Sequence, residues 1–235
     1  MGGISVIGDI MNISRLRMAS DGQGVSTLVA FFGCPLHCKY CINEHCQDKD
    51  DSLLETERGA YTPEELKEKL QVDDIYFKMT GGGVVFGGGE PLLQAEFIHE
   101  VCGKCDPMWK KRIETSLYSP WYKIEMLLAD IDEWIIDVKD VLPTTYEKYT
   151  GRSNGIVLHN LEHLLKKVPS KSIRVRVPHI AGYNDHFDVE FSIGYLKDMG
   201  VVNIDEFEYI QTKPFCENDS KMELEEEMLL DNEWD

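Results

Sequence analysis

The chain has 235 residues, which suits one α/β domain with a sizeable buried core. Its 42 acidic and 24 basic side chains give a formal net charge of −18, which argues against nucleic acid or an anionic membrane as the main partner, since both attract clustered Lys and Arg. No apolar run approaches the ~18 residues of a transmembrane helix and no signal peptide is evident, so we expect a cytoplasmic protein. We also expect a monomer.

Strands and helices alternate along the chain. The predicted strands are rich in β-branched and aromatic residues and are bounded by glycine or polar residues: Gly24–Gly33, Gly83–Phe86, Lys111–Thr115, Glu133–Val138, Ile173–Pro178 and Phe207–Ile210. The helices between them are predicted to begin at Pro63, after the N-cap Thr62, and to cover about 92–102, Trp121–Leu128, Asn154–Lys167 and Asp188–Met199. This alternation predicts a parallel sheet with covering helices.

Polar residues follow the predicted strands directly. In parallel α/β folds, ligands bind at the carboxyl ends of the strands. The residues predicted to lie at or just beyond those ends are Cys34, Glu90, Glu114, Thr115, Asp137 and Lys139. The sequence therefore predicts one ligand site at this edge of the sheet.

The cysteines point to metal chemistry. There are seven of them, an odd number, at positions 34, 38, 41, 46, 102, 105 and 216. In a reducing compartment, metal binding or catalysis is a better interpretation than disulfides. The pair Cys102 and Cys105 lies at a predicted helix end, where ordinary half-buried thiols are the simpler interpretation.

Three cysteines fall within eight residues, in Cys34-Pro-Leu-His-Cys38-Lys-Tyr-Cys41. Three thiolates can hold an iron–sulfur cluster and leave one iron without a protein ligand. Two alternatives are thiols on one buried helix face and a zinc site. Gly33 and Pro35 make a helix interior unfavourable. A zinc site usually shows paired Cys-x-x-Cys or Cys/His sets, and none is well spaced here.

A second feature is the glycine-rich run Gly81–Gln94, which contains Gly88-Gly89-Glu90-Pro91. Taken alone, it indicates no more than a tight turn between a strand and a helix. It is not a Walker loop, because no Gly-Lys-Ser/Thr follows.

Together, the cysteine triplet, with the aromatic Tyr40 before its last cysteine, and the Gly-Gly-Glu motif resemble the radical S-adenosylmethionine (SAM) superfamily. The resemblance implies a [4Fe–4S] cluster on Cys34, Cys38 and Cys41, with SAM chelating the open iron. It also implies reductive cleavage of SAM to a 5′-deoxyadenosyl radical, with no catalytic residue beyond the cluster and SAM.

The resemblance narrows to the activating enzymes of glycyl radical enzymes, of the pyruvate formate-lyase activase type without a ferredoxin-like insert. It implies a single-domain partial (β/α)6 barrel, which we assign to residues 1–216, followed by an acidic tail at 217–235. The matching stretches occur in family order: Asp21–Gly24, Gly33–Leu36, Thr80–Gln94, Glu114–Ser116, Asp137–Lys139, Tyr149–Gly151, Ser153-Asn154, Val177-Pro178 and Gly182–Asp185.

The resemblance also implies roles for individual residues. Those expected near SAM are Tyr40, Gly88, Gly89, Glu90, Glu114, Thr115, Asp137, Lys139 and Arg176, with a monovalent cation possible at Glu114, Thr115 and Asp137. Those expected near the substrate are Asp21, Gly22 and Arg174. Taken alone, Asp137 and Lys139 could be a surface ion pair, and the two arginines a solvated strand edge.

The implied partners are a glycyl radical enzyme, which supplies the glycine, and a flavodoxin- or ferredoxin-type reductant. Two alternatives stay open: a radical SAM enzyme acting on a peptide or small metabolite, and a non-catalytic iron–sulfur or SAM-binding protein. Leu117, where the family often has glycine, and the segment Gln211–Cys216 depart from the family pattern and leave the substrate open.

Overall fold

A computed structural model of the chain describes residues 6–18, 21–47 and 59–209. Its strands form one sheet of eight. They are β1 (Gly8–Met18), β2 (Val25–Phe31), β3 (Gly59–Tyr61), β4 (Gly83–Gly88), β5 (Lys110–Thr115), β6 (Glu133–Asp137), β7 (Ile173–His179) and β8 (Ile204–Glu208).

The strand order is β3-β1-β2-β4-β5-β6-β7-β8. The run from β2 through β4, β5, β6, β7 and β8 is parallel throughout, which confirms the predicted partial six-stranded barrel. The sequence did not predict β1 and β3, which extend the sheet by antiparallel pairing. The β1 pairing with β2 shifts register twice, so this strand lacks the simple alternation that identifies a strand.

The helices cover the outer face of the sheet. They are α1 (Pro63–Gln71), α2 (Asp74–Thr80), α3 (Ala95–Cys102), α4 (Trp121–Leu127), α5 (Pro143–Thr150), α6 (Gly155–Lys167) and α7 (His186–Met199), with short 3-10 helices at Glu44–Gln47, Pro91–Gln94 and Ser170–Ser172. The predicted start of α1 is confirmed: Thr62 and Glu65 form a reciprocal capping box.

Successive side chains on each strand point to opposite faces of the sheet. The apolar ones face the helices, and the charged ones lie on the concave face. On β5, Ile113 belongs to the core under the helices, whereas Arg112 and Glu114 make their ion pairs on the opposite face. On β7, Val175 joins the core, while Arg176 bonds to carboxylates. The core therefore lies between sheet and helices, and the concave face of the sheet is left for polar chemistry.

The last predicted strand lies a few residues earlier than expected, and β8 ends at Glu208. The predicted domain end at residue 216 and the acidic tail fall outside the described residues. Within the part of the chain that the structure describes, no helix has both the length and the apolar character needed to span a bilayer.

Candidate functional site

A cavity of about 300 Å³ opens at the carboxyl ends of the parallel strands. This volume is at the lower end of the range for ligand pockets. Most of the predicted site residues line it: Asp21, Cys34, Cys38, Cys41, Gly88, Gly89, Glu90, Glu114, Thr115, Asp137, Lys139 and Arg176. The structure thus brings together residues that are more than 150 positions apart in sequence.

The loop that carries the three cysteines is fixed by its neighbours. The Gly33 carbonyl accepts a hydrogen bond from the Glu90 amide (2.8 Å), which joins this loop to the glycine-rich loop. On the other side, the His37 amide donates to the Thr150 carbonyl (2.9 Å) and the Lys39 amide donates to the Tyr149 carbonyl (3.1 Å). The cysteines are therefore held between β4 and the end of α5.

Two of the three thiols, those of Cys34 and Cys38, have raised pKa values. Burial raises the pKa of Cys34 to about 12 and that of Cys38 to about 11, so both are neutral thiols at pH 7 in the protein alone. Metal binding supplies the positive charge that favours the thiolate in such surroundings. The residues therefore fit a metal centre at this wall of the cavity.

A fourth cysteine lies beside the triplet. Cys46 is buried against Met11, Ala30 and Phe32. A hydrogen bond with the Cys46 thiol lowers the pKa of Cys41. The sequence did not predict this proximity, which arises because the 3-10 helix Glu44–Gln47 folds back under the cysteine loop.

The arrangement differs from a mononuclear zinc site. Among the described residues, no group of three or more His, Cys, Asp or Glu side chains is placed to hold a single metal ion. The three thiols instead share the wall of a wider cavity, which suits a cluster of several metal atoms.

The glycines of the Gly-Gly-Glu motif are required by the protein's own backbone. A Cβ on Gly89 would lie 2.1 Å from the Gly33 carbonyl oxygen, and one on Gly88 would lie 2.7 Å from the Phe31 amide nitrogen. Both distances are far inside van der Waals contact. These glycines allow the loop to pack on the end of β2, beside the first cysteine.

Glu90 is only 1% exposed, and its carboxylate is fully engaged. It accepts hydrogen bonds from the Thr115 hydroxyl (2.6 Å), the Ser116 amide (2.9 Å) and hydroxyl, and the Leu92 amide (3.2 Å). Burial raises the pKa of Glu90, and the donors from Ser116 and Thr115 oppose that rise. Glu90 therefore ties β4 to the end of β5, a contact that the sequence analysis did not foresee.

Two carboxylates and two cations form a compact group in the cavity. Arg176 bonds to Asp137 through Nε and to Glu114 through Nη1 (3.1 Å), and Lys139 Nζ lies 3.0 Å from Asp137 Oδ2. Burial acts to raise the pKa of Asp137, but the charges of Lys139 and Arg176 hold it at about 2. Asp137 is thus ionised, whereas burial raises the pKa of Glu114 and the charge of Arg176 opposes that rise. The group offers positive charge to a carboxylate and carboxylate oxygens to an ammonium.

Arg17 is a cavity residue that the sequence analysis missed. Its guanidinium makes two hydrogen bonds to the predicted substrate residue Asp21, whose carboxylate also accepts from the Ser26 hydroxyl (3.0 Å). The β1–β2 register shifts between Ser14 and Arg17, and Leu16 within this bulge has a φ of 52°. Such a bulge re-aims side chains, and here Arg17 turns into the cavity. In the sequence, the signal for this bulge is the interrupted alternation of apolar and polar residues along β1.

The other two predicted substrate residues, Gly22 and Arg174, lie at the amino ends of the strands, outside the lining of the cavity. Arg174 bonds to Glu133 (2.7 Å), which also accepts from Arg112 Nε (2.9 Å). A Cβ on Gly22 would lie 2.7 Å from Arg112 Nε. These charged side chains pack against the loop at Gly22, at the amino ends of the strands.

Tyr40 packs into an aromatic group outside the cavity lining. Its ring centroid is 5.6 Å from that of Tyr183 and 6.3 Å from that of Tyr149. Cys102 and Cys105 pack with the core under the helices, as the interpretation of ordinary thiols predicts.

The chain is similar to proteins of one family. The family model described as the Radical SAM superfamily matches residues 28–187. The chain is 29% identical over 234 residues to the (2S)-3-sulfopropanediol dehydratase activating enzyme of Klebsiella oxytoca, covering 76% of this chain and 73% of that protein. It is 32% identical over 178 residues to the pyruvate formate-lyase-activating enzyme of Clostridium pasteurianum, covering 74% of this chain and 69% of that protein.

Among solved structures, Streptococcus suis SuiB bound to precursor peptide SuiA matches with a TM-score of 0.60. That match covers 86% of this chain and 44% of the SuiB chain at 12% sequence identity. At this identity the match supports the fold alone.

Proposed function

The chain belongs to the radical SAM superfamily and, within it, to the activating enzymes of glycyl radical enzymes, and from this premise we propose which residues perform its activity. The protein is a radical SAM enzyme that cleaves SAM reductively at a [4Fe–4S] cluster and uses the 5′-deoxyadenosyl radical to take a hydrogen atom from a glycine of a partner enzyme. One observation supports the assignment of residues most strongly: the three thiols share a cavity with the group of Asp137, Lys139 and Arg176.

In this proposal, Cys34, Cys38 and Cys41 hold the cluster. Gly88 and Gly89 present backbone polar groups to SAM at the same wall, and Asn43, which donates to the Gly88 carbonyl (2.9 Å), orients them.

The charged group orients the amino-acid part of SAM. Lys139 and Arg176 would meet its carboxylate as positive charges, while Glu114 and Asp137 keep both cations in place. Glu90 and Thr115 act indirectly by holding the strand ends together, and Tyr40 packs behind the cysteine loop. A monovalent cation among Glu114, Thr115 and Asp137 would share the two carboxylates with Arg176 and the Thr115 hydroxyl with Glu90.

The substrate glycine enters from the side where Arg17 and Asp21 line the cavity. The Arg17 guanidinium offers a donor to a peptide backbone, and the buried Asp21 carboxylate holds it in place. The loop at Gly22 supports them together with Arg174 through Glu133. In this proposal the protein is a monomer. A flavodoxin- or ferredoxin-type protein reduces its cluster.

The test is carried out without oxygen on reconstituted protein. Dithionite and SAM should yield 5′-deoxyadenosine, measured by liquid chromatography. Adding a co-expressed glycyl radical enzyme should yield a protein-based glycyl radical, measured by electron paramagnetic resonance. Formation of 5′-deoxyadenosine without any glycyl radical would refute the glycine substrate, and absence of 5′-deoxyadenosine would refute SAM cleavage itself.

A further inference from the structure

Three exposed cations surround the outer side of the cysteine loop: Lys39, Lys148 and Arg152, called the basic patch below. Lys39 lies within the loop, between two of the cysteines. Lys148 and Arg152 lie on α5 and just after it. The SAM cavity uses none of these side chains.

The basic patch is contiguous because α5 is attached to the loop. The Lys39 amide donates to the Tyr149 carbonyl (3.1 Å), and Arg152 Nε donates to the Pro35 carbonyl (3.2 Å). Each of the three cations therefore lies within a few residues of a hydrogen bond that holds the cysteine loop in place.

Packed aromatic rings connect the patch with the thiols. Lys148 Nζ lies 5.8 Å from the centroid of the Tyr183 ring, and that ring lies 5.6 Å from the ring of Tyr40. Tyr40 immediately precedes Cys41 in the chain. The basic patch is therefore the part of the protein surface that lies at the outer side of the cysteine loop.

The position of this positive charge is informative because the chain as a whole has a formal net charge of −18. An acidic partner is repelled by most of such a molecule and can approach only where cations are concentrated. Two exposed carboxylates, Glu44 and Glu147, border the patch, so its surplus of positive charge is small.

We propose that the basic patch is the docking site of a small acidic one-electron carrier protein that reduces the cluster. This inference rests on the proposed function, which needs one electron for each SAM cleaved. One electron passes from the reduced carrier to the cluster, and no proton or atom moves with it. Electron-transfer partners form small, transient interfaces, and a patch of this few residues is in keeping with one.

The experiment compares single charge changes on exposed positions. Lys148→Glu reverses a patch cation, Glu147→Lys adds a cation next to it on α5, and Lys171→Glu is the matched control. Lys171 is exposed in the 3-10 helix Ser170–Ser172 just before β7, at the amino ends of the strands. The readout is the rate of cluster reduction by reduced flavodoxin, followed by stopped-flow absorbance, with dithionite as a reductant that needs no docking site.

At low salt, Lys148→Glu should slow reduction by flavodoxin roughly tenfold, Glu147→Lys should accelerate it, and Lys171→Glu should leave it unchanged. These differences should vanish near 1 M salt, where charges are screened within ~3 Å. Reduction by dithionite should be the same in all four proteins. Equal flavodoxin rates for Lys148→Glu and Lys171→Glu would overturn the docking site alone. Failure of dithionite to drive SAM cleavage would overturn the proposed function and the docking site with it.

Discussion

Replacing Cys38 with alanine should abolish iron binding and SAM cleavage together. Cys38 lines the cavity, and burial with no metal present keeps its thiol neutral. Losing one of three cluster ligands removes a metal–sulfur bond, so the effect should exceed the ~100-fold loss typical of changes in residues that only support a ligand. The iron and sulfide content after anaerobic reconstitution measures cluster binding, and the formation of 5′-deoxyadenosine measures SAM cleavage.

The chain offers a matched control in Cys46. This cysteine is buried beside Cys41 and Cys34 in a small apolar cluster with Met11, Ala30 and Phe32, but it lies outside the lining of the cavity. Cys46→Ala should therefore keep its iron, apart from a modest loss of stability due to the vacated volume. Retention of the cluster in Cys38→Ala, or its loss from a well-folded Cys46→Ala protein, would contradict the assignment of the ligands.

Replacing Gly89 with alanine should disrupt the site by a different route. The added Cβ would lie 2.1 Å from the Gly33 carbonyl oxygen, and neither backbone can yield without moving the other. The Glu90 amide bonds to the same carbonyl (2.8 Å), so this bond should be lost as well. We expect a destabilisation of roughly 3 kcal/mol, at the upper end for overpacked sites. Reconstitution should also yield less iron, because Gly33 precedes Cys34.

Gly194→Ala is the control for the Gly89 variant. Gly194 lies in the interior of α7, is exposed, and has open space at the position of a Cβ. Alanine there should stabilise the helix by about 0.5–1 kcal/mol and leave the iron content unchanged. Thermal unfolding of both apo-proteins by circular dichroism gives the comparison. Equal melting temperatures and iron contents for the two variants would disprove the packing argument.

The fold and the residues that line the cavity could be predicted because their signals are local. Three cysteines within eight residues require no knowledge of distant contacts, and glycine-bounded apolar runs identify parallel strands. Asp137 and Lys139 could be placed near the cavity because they follow a strand directly. The parallel run from β2 to β8 then brings all these positions to one edge.

The remaining features depend on contacts that no local pattern encodes. Arg17 reaches the cavity because a bulge, in which Leu16 has a left-handed conformation, changes the face of the sheet to which the next side chain points. Glu90 is engaged by Ser116, 26 positions away. Gly89 is required because β2 ends against it, although the motif itself suggested ligand binding. Tertiary packing decides each of these positions.

The most direct measurement is metal and sulfide analysis of the unchanged protein, purified and reconstituted without oxygen, combined with Mössbauer spectroscopy. Three thiolates around one cavity predict about four irons and four sulfides per chain in a cubane cluster, with one iron distinct from the other three. Adding SAM should alter the signal of that one iron alone. Zinc at this site, or a protein without iron, would contradict the account.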